Sequence, residues 1–231
     1  MPWTRSDATD DEALEPHGMV RGEPRWPMAA AVVAASALTT LRPAELRVLP
    51  AWVLPIVEVV LLVVLVLRDP GRIDRRSRTL RYVSICVVAI LVVDALVATG
   101  HLIAVLVRGG HATDSAEALL LAGAVVWVSN IVAFALLYWE LDSGGAAARA
   151  HGLPATPDLA FPQQLNPELA PPGWRPQFHD YLYLGLTSST AFSPTDVMPL
   201  AGWAKLAMSV QSLISLTVLG LVIARAVNVL T

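Results

Sequence analysis

The chain has 231 residues, of which 55% are hydrophobic and 15% charged, with a formal net charge of -3. An average soluble domain carries about 25% charged residues, so this composition, a mean hydropathy of +0.58 and apolar runs near twenty residues exclude an ordinary soluble globule. They predict an all-α polytopic membrane protein, because backbone groups in lipid must satisfy one another within helices. Nothing in the charge balance points to a nucleic-acid partner. The single cysteine, Cys86, excludes an intrachain disulfide and a CxxC-type metal site. Lying in an apolar run, it is expected to be a small buried residue.

Residues 1–25 are polar and carry three prolines, and their charges are mostly acidic. They read as a disordered N-terminal tail and lack the basic start of a signal peptide. Residues 26–141 read as a four-span bundle. Its first apolar run, 28–41, covers only about 21 Å, less than the roughly 30 Å hydrocarbon core. It is expected to be a short span anchored by Trp26, followed by a tight polar connection at 42–47. Residues 48–67 form a second span, with Pro50 and Pro55 in its first half and Glu58 near its middle. The next stretch, 68–81, holds Arg68, Arg72, Arg75, Arg76, Arg78 and Arg81. This is the strongest topology signal in the chain, and it predicts a cytoplasmic loop.

Residues 82–107 are long enough to tilt, with Asp94 near the midpoint and His101 on roughly the same face. The span at 118–141 contains Ser129 and Asn130. Trp139, Glu140 and Asp142 close it and read as an interfacial anchor with solvated carboxylates. Residues 142–177 form a Pro-rich connection whose proline runs are expected to be extended. Phe161, Trp174 and proline stiffness predict an ordered cap on the membrane surface. Residues 178–231 open with a helix at 178–190, about half a bilayer long. A polar bend then leads into a full-length apolar run at 200–227.

An ionised carboxylate at mid-depth costs a few kcal/mol, so Glu58 and Asp94 are each expected to be paired, protonated or facing a wet cavity. His101 and Asn130 are candidate partners. Two roles are open to these groups: a proton or cation pathway, or hydrogen bonds that hold spans together.

The segment FHDYLYLGLTSSTAF followed by SPTD resembles the pore module of two-transmembrane bacterial potassium channels. There an FxDYxYF-type pore helix leads to threonines, a TVGYGD-type filter, a proline and an inner helix. The residues that carry the resemblance are Phe178, Asp180, Tyr181 and Tyr183, then Thr187 and Thr190, then Asp196 and Pro199, with Ala224-Arg225-Ala226-Val227 closing the last span. The same run, with TAFSPTD and QSLIS, also looks like an uncharacterised family of bacterial membrane proteins. The resemblance implies pore- or filter-like roles for Thr187, Thr190, Ala191, Phe192, Ser193, Pro194, Thr195 and Asp196. It also implies a monovalent cation as the permeating species, and a homo-oligomer, because one re-entrant segment cannot enclose a path alone.

The filter itself departs from the family. A potassium filter aims successive carbonyls at the ion, and the family uses glycines to reach the backbone angles this needs. Residues 191–195 contain no glycine, Pro194 fixes φ near -65°, and there is one residue too many before Asp196. No potassium filter of the known kind is expected; selection falls to Thr190, Ser193 and Asp196, or is absent. Ser193, Pro194 and Asp196 also read as a helix start.

The arginine loop, placed inside, puts the tail and residues 143–177 inside too. A potassium-channel pore loop enters from outside, so with five spans the two signals conflict. The charge rule predicts entry from the cytoplasm, as in the inverted pores of glutamate receptors. The expectation is a cell-membrane protein with about five spans plus a re-entrant half-helix and a cytoplasmic N-terminus. It needs no cofactor or metal, is not an enzyme, and has the lipid bilayer, a monovalent cation and further copies of itself as partners. The alternatives are a proton-coupled transporter using Glu58 and Asp94, or a non-transporting scaffold that docks a partner through residues 143–177.

Overall fold

The computed structural model describes residues 22–73, 77–108, 115–152, 156–190 and 196–230. Among them the chain is all-α, with eight helices and two short strand pairs. The predicted tail lies almost wholly outside the described residues, as do Arg75 and Arg76.

The long elements are α1 (Trp26–Leu41), α2 (Val53–Arg68), α3 (Arg78–Arg108), α4 (Ala116–Leu141), α7 (Phe178–Thr190) and α8 (Gly202–Leu230). Between α4 and α7 lie the short α5 (Ala146–Ala150) and α6 (Pro162–Leu165). Arg78–Arg108, Ala116–Gly144 and Gly202–Val227 are long and apolar enough to cross a membrane. Helices α1 and α2 have 16 residues each, about 24 Å. The second apolar run starts its helix late because Pro50 makes a turn, accepting from the Val53 N–H. Pro55 then falls in the first turn of α2, where a missing N–H costs nothing.

Helix α4 is the axis of the bundle, and α1, α3, α7 and α8 all pack on it. Residues 131–136 are buried on every side, as expected of a helix that is apolar all round. Its start is set locally: Ser115 Oγ accepts from the Ala118 N–H, and Glu117 sits in the first turn.

Helix α7 runs antiparallel along α4. Its first residue, Phe178, meets Trp139 edge-on at 6.2 Å. Gly185 faces the α4 backbone so closely that a Cβ there would lie 3.0 Å from the Ile131 carbonyl oxygen. A side chain there would push the α4 backbone away by a few tenths of an ångström, so glycine lets the two helices approach closely.

One end of the bundle gathers the starts of α1, α3, α7 and α8 and the ends of α2 and α4. Two antiparallel pairs knit this end: β1 (Glu23–Pro24) with β2 (Arg72–Ile73), and β3 (Leu159–Ala160) with β4 (Met198–Pro199). At the other end Leu46, on the tip of the α1–α2 hairpin, is buried against Ala98 and Leu102 of α3.

Two expectations are corrected here. Cys86 is exposed, on the outer side of α3; Val87, Val88, Leu91 and Ala95 take the packed side. In a bundle that faces lipid, an apolar run says little about which side is covered. The proline-rich connection is not simply extended. Pro162 opens α6 and Pro167 opens a single 3-10 turn, each at the first helical position that proline favours.

Candidate functional site

The polar groups inside the protein fall into three assemblies. The first ties down the cap. Asp142 is fully buried. Its Oδ1 accepts from the N–H groups of Asp158 and Leu159, at 3.2 and 3.1 Å, and from Ser143 Oγ at 3.0 Å. Its Oδ2 accepts from the Tyr181 hydroxyl at 2.6 Å. The Tyr181 ring lies 5.0 Å below the Arg149 guanidinium. Arg149 donates to Glu23 at 2.8 Å and to the carbonyl oxygens of Trp139 and Asp142, both at 2.8 Å. Glu23 also accepts from Trp139 Nε1 at 2.7 Å.

Beside this knot, Arg81 pairs with Glu140 at 2.7 Å, and Ser84 donates to the other carboxylate oxygen at 2.5 Å. Trp139, Glu140 and Asp142 therefore form no solvated anchor: all three are buried, and they join α4 to the N-terminal strand, the cap and α7. Sequence reasoning missed this because the side-chain partners Glu23, Arg81, Ser84 and Tyr181 are far away along the chain.

The second assembly fixes the inner half of α7 on α8. Gln211 is fully buried. Its Nε2 donates to the Gly185 carbonyl at 2.8 Å and to Ser189 Oγ at 2.9 Å, while its Oε1 accepts from the Tyr138 hydroxyl at 2.6 Å. Ser212 donates to the Ser188 carbonyl at 3.0 Å. None of these was singled out as a site residue, although a Gln-Ser pair inside a long apolar run is a readable signal. Of the pore-like set, Thr187 and Thr190 return their hydroxyls to their own helix, at the Tyr183 and Leu186 carbonyls. Thr190 and Asp196 are exposed. Ala191, Phe192, Ser193, Pro194 and Thr195 lie outside the described residues.

The third assembly holds the mid-bundle carboxylates. Glu58 is fully buried and accepts from Ser36 Oγ at 2.5 Å. Asp94 pairs with Arg42 at 2.7 Å and accepts from Thr39 Oγ1 at 3.2 Å. Ser36, Thr39 and Arg42 follow one another at three-residue spacing along one side of α1 and its end. One face of α1 thus serves a carboxylate from α2 and another from α3.

The expected partners were different. His101 is exposed on α3, and Asn130 donates instead to Thr99 Oγ1 at 2.7 Å and to the Val126 carbonyl at 3.0 Å. Arg42 escaped notice because it lies just past the apolar run and reads as loop. Glu58 Oε1 and Arg42 Nε are buried without a hydrogen-bond partner among the described residues. Among those residues no group of His, Cys, Asp and Glu is placed to hold a metal ion.

Compared with known proteins, the chain matches no family model, no curated protein and no solved structure.

Proposed function

We propose that this is a channel-like cell-membrane protein in which α7, the return segment and α8 form a pore module that passes ions without potassium selectivity. One observation carries it. Helix α7 enters the bundle from the cap end and stops beside Ser212 of α8, and by Met198 the chain is back at the cap end, paired with Ala160. The 13 residues of α7 cover about 20 Å. The extended chain from Thr190 to Met198 reaches about 27 Å, enough to return. A half-helix that enters and a strand at the same end support a re-entrant reading of this segment.

With α1 and α2 as short spans, the bundle then has five crossings and one re-entry. The cap end carries Arg68, Arg72, Arg78 and Arg81, which favours its placement in the cytoplasm. The pore module enters from that side, and the N-terminus lies there too. Thr190 and Asp196, both exposed, flank the path, and further copies of the chain close it. A monovalent cation is the species carried.

The test is ion flux in vesicles reconstituted with the purified protein. Wild type passes sodium and potassium at similar rates, and Asp196→Asn lowers flux severalfold. Wild-type vesicles no leakier than empty ones would exclude the channel.

A second reading, a proton-coupled transporter, draws on the α1 face that joins Glu58 and Asp94. It predicts flux that follows a pH gradient and is lost in Glu58→Gln and Asp94→Asn. Flux unchanged in both variants removes these carboxylates from the pathway.

A further inference from the structure

The arginine-rich connection does more than mark a side. Where it joins α3, the protein has an open cleft of about 460 Å³, walled by the end of α2, the start of α3, the end of α4 and α5. Its polar lining includes Arg25, Asp69, Ser77, Arg78, Arg81, Ser84 and Glu140. The charges are not balanced. Arg25 holds Asp69 at 2.6 Å and Arg81 holds Glu140 at 2.7 Å, so both carboxylates are already paired. Arg78 is exposed on the wall, with no pairing partner among the described residues.

Three further features favour an anion. The start of α3 is capped by Ser77, whose Oγ faces the Leu80 N–H at 3.5 Å and whose carbonyl accepts from the Arg81 N–H at 3.0 Å, and a helix start carries partial positive charge. The Arg25 side chain is 7% exposed, and its Nε–H is buried without an acceptor among the described residues. Arg81 uses only Nη1 on Glu140, and its side chain is 32% exposed. Basic groups from the start of α3 and from Arg25 therefore line one cleft. Planar guanidinium groups beside a helix start suit the oxygens of a phosphate.

The rest of the wall is apolar, with Leu80 and Ala147 among its residues. Tyr82 follows Arg81 on α3 and is 67% exposed, and Trp26 follows Arg25 and is 72% exposed. Exposed aromatics of this kind sit at the headgroup level, which puts the cleft where a lipid phosphate lies. We propose that this cleft binds a phosphate group, that of an anionic phospholipid, against Arg78, Arg81 and the start of α3, with an acyl chain along the apolar wall. This is independent of ion permeation.

The test is thermal unfolding of the full-length, delipidated protein in neutral detergent. It is titrated with phosphatidylglycerol, with phosphatidylcholine, or with inorganic phosphate. Phosphatidylglycerol raises the midpoint and phosphatidylcholine does not. Arg78→Gln, an exposed substitution that leaves the fold intact, weakens the response roughly fivefold, the loss of one basic contact. Arg108→Gln, at the other end of α3, leaves it unchanged. Stabilisation by inorganic phosphate as strong as by the lipid, and equally sensitive to Arg78→Gln, assigns the site to a soluble phosphate. No stabilisation by either, or a lipid response that Arg78→Gln does not alter, overturns the proposal.

Discussion

Arg42 shows how much one side chain is asked to do inside this bundle. Its side chain is 3% exposed and its partner Asp94 is 12% exposed. A buried ion pair is worth little in itself, but removing one partner strands the other charge. Asp94→Asn should therefore cost about 3 kcal/mol or more, read as a lower unfolding midpoint in detergent. Replacing both partners, as Arg42→Met with Asp94→Leu, should recover most of that loss. If the double variant is as unstable as the single, the pair is not an isolated unit. Gly145 gives a second test at this scale. Its φ is +90°, and a Cβ there would lie 1.8 Å from Arg81 Nη1. Gly145→Ala must shift the Arg81 guanidinium that pairs with Glu140, and a Cβ at this φ is itself strained. A destabilisation of about 1–3 kcal/mol is expected, with Gly145→Ala and Arg81→Gln showing less than additive effects.

Among the elements, α7 is the one whose stability is most particular. It has only 13 residues, marginal for a helix on its own, and it is fixed at two levels: Tyr181 on Asp142 near its start and Ser188, Gly185 and Ser189 on α8 farther in. Gln211→Leu removes the inner fixation while preserving volume. The amides of residues 178–190 should then exchange with solvent about tenfold faster, the loss of roughly one buried bond's worth of protection, while those of α4 stay slow. Equal acceleration in both helices would mean that α7 does not move as a separate unit. The limits of α7 were legible in the sequence, because an apolar run ends at Thr190 where turn-forming residues begin. The start of α2 was not, since Val48 and Leu49 are as apolar as the helix they precede. There the backbone turn at Pro50, not hydrophobicity, sets the boundary.

Taken whole, the molecule has one end held together by a dense set of long-range polar contacts. The helical class and the apolar spans could be read from composition and run length. The cap was readable as ordered from Phe161 and Trp174, which meet ring to ring at 6.0 Å. Its fastening was not. Glu23 reaches Arg149 and Asp142 reaches Tyr181 across long stretches of chain, and no local pattern encodes such pairs. The same limit hid the joining of Glu58 and Asp94 by α1. The proposed pore module requires α7 to enter and the chain to return at one face of the membrane. Single cysteines at Glu168, Asp196 and Glu117, in a Cys86→Ala background, can be probed with a membrane-impermeant maleimide in intact cells and in inverted vesicles. The account predicts that the Glu168 and Asp196 positions label together in inverted vesicles only, and the Glu117 position in intact cells. Labelling of the Asp196 position with that of Glu117, opposite Glu168, would contradict it.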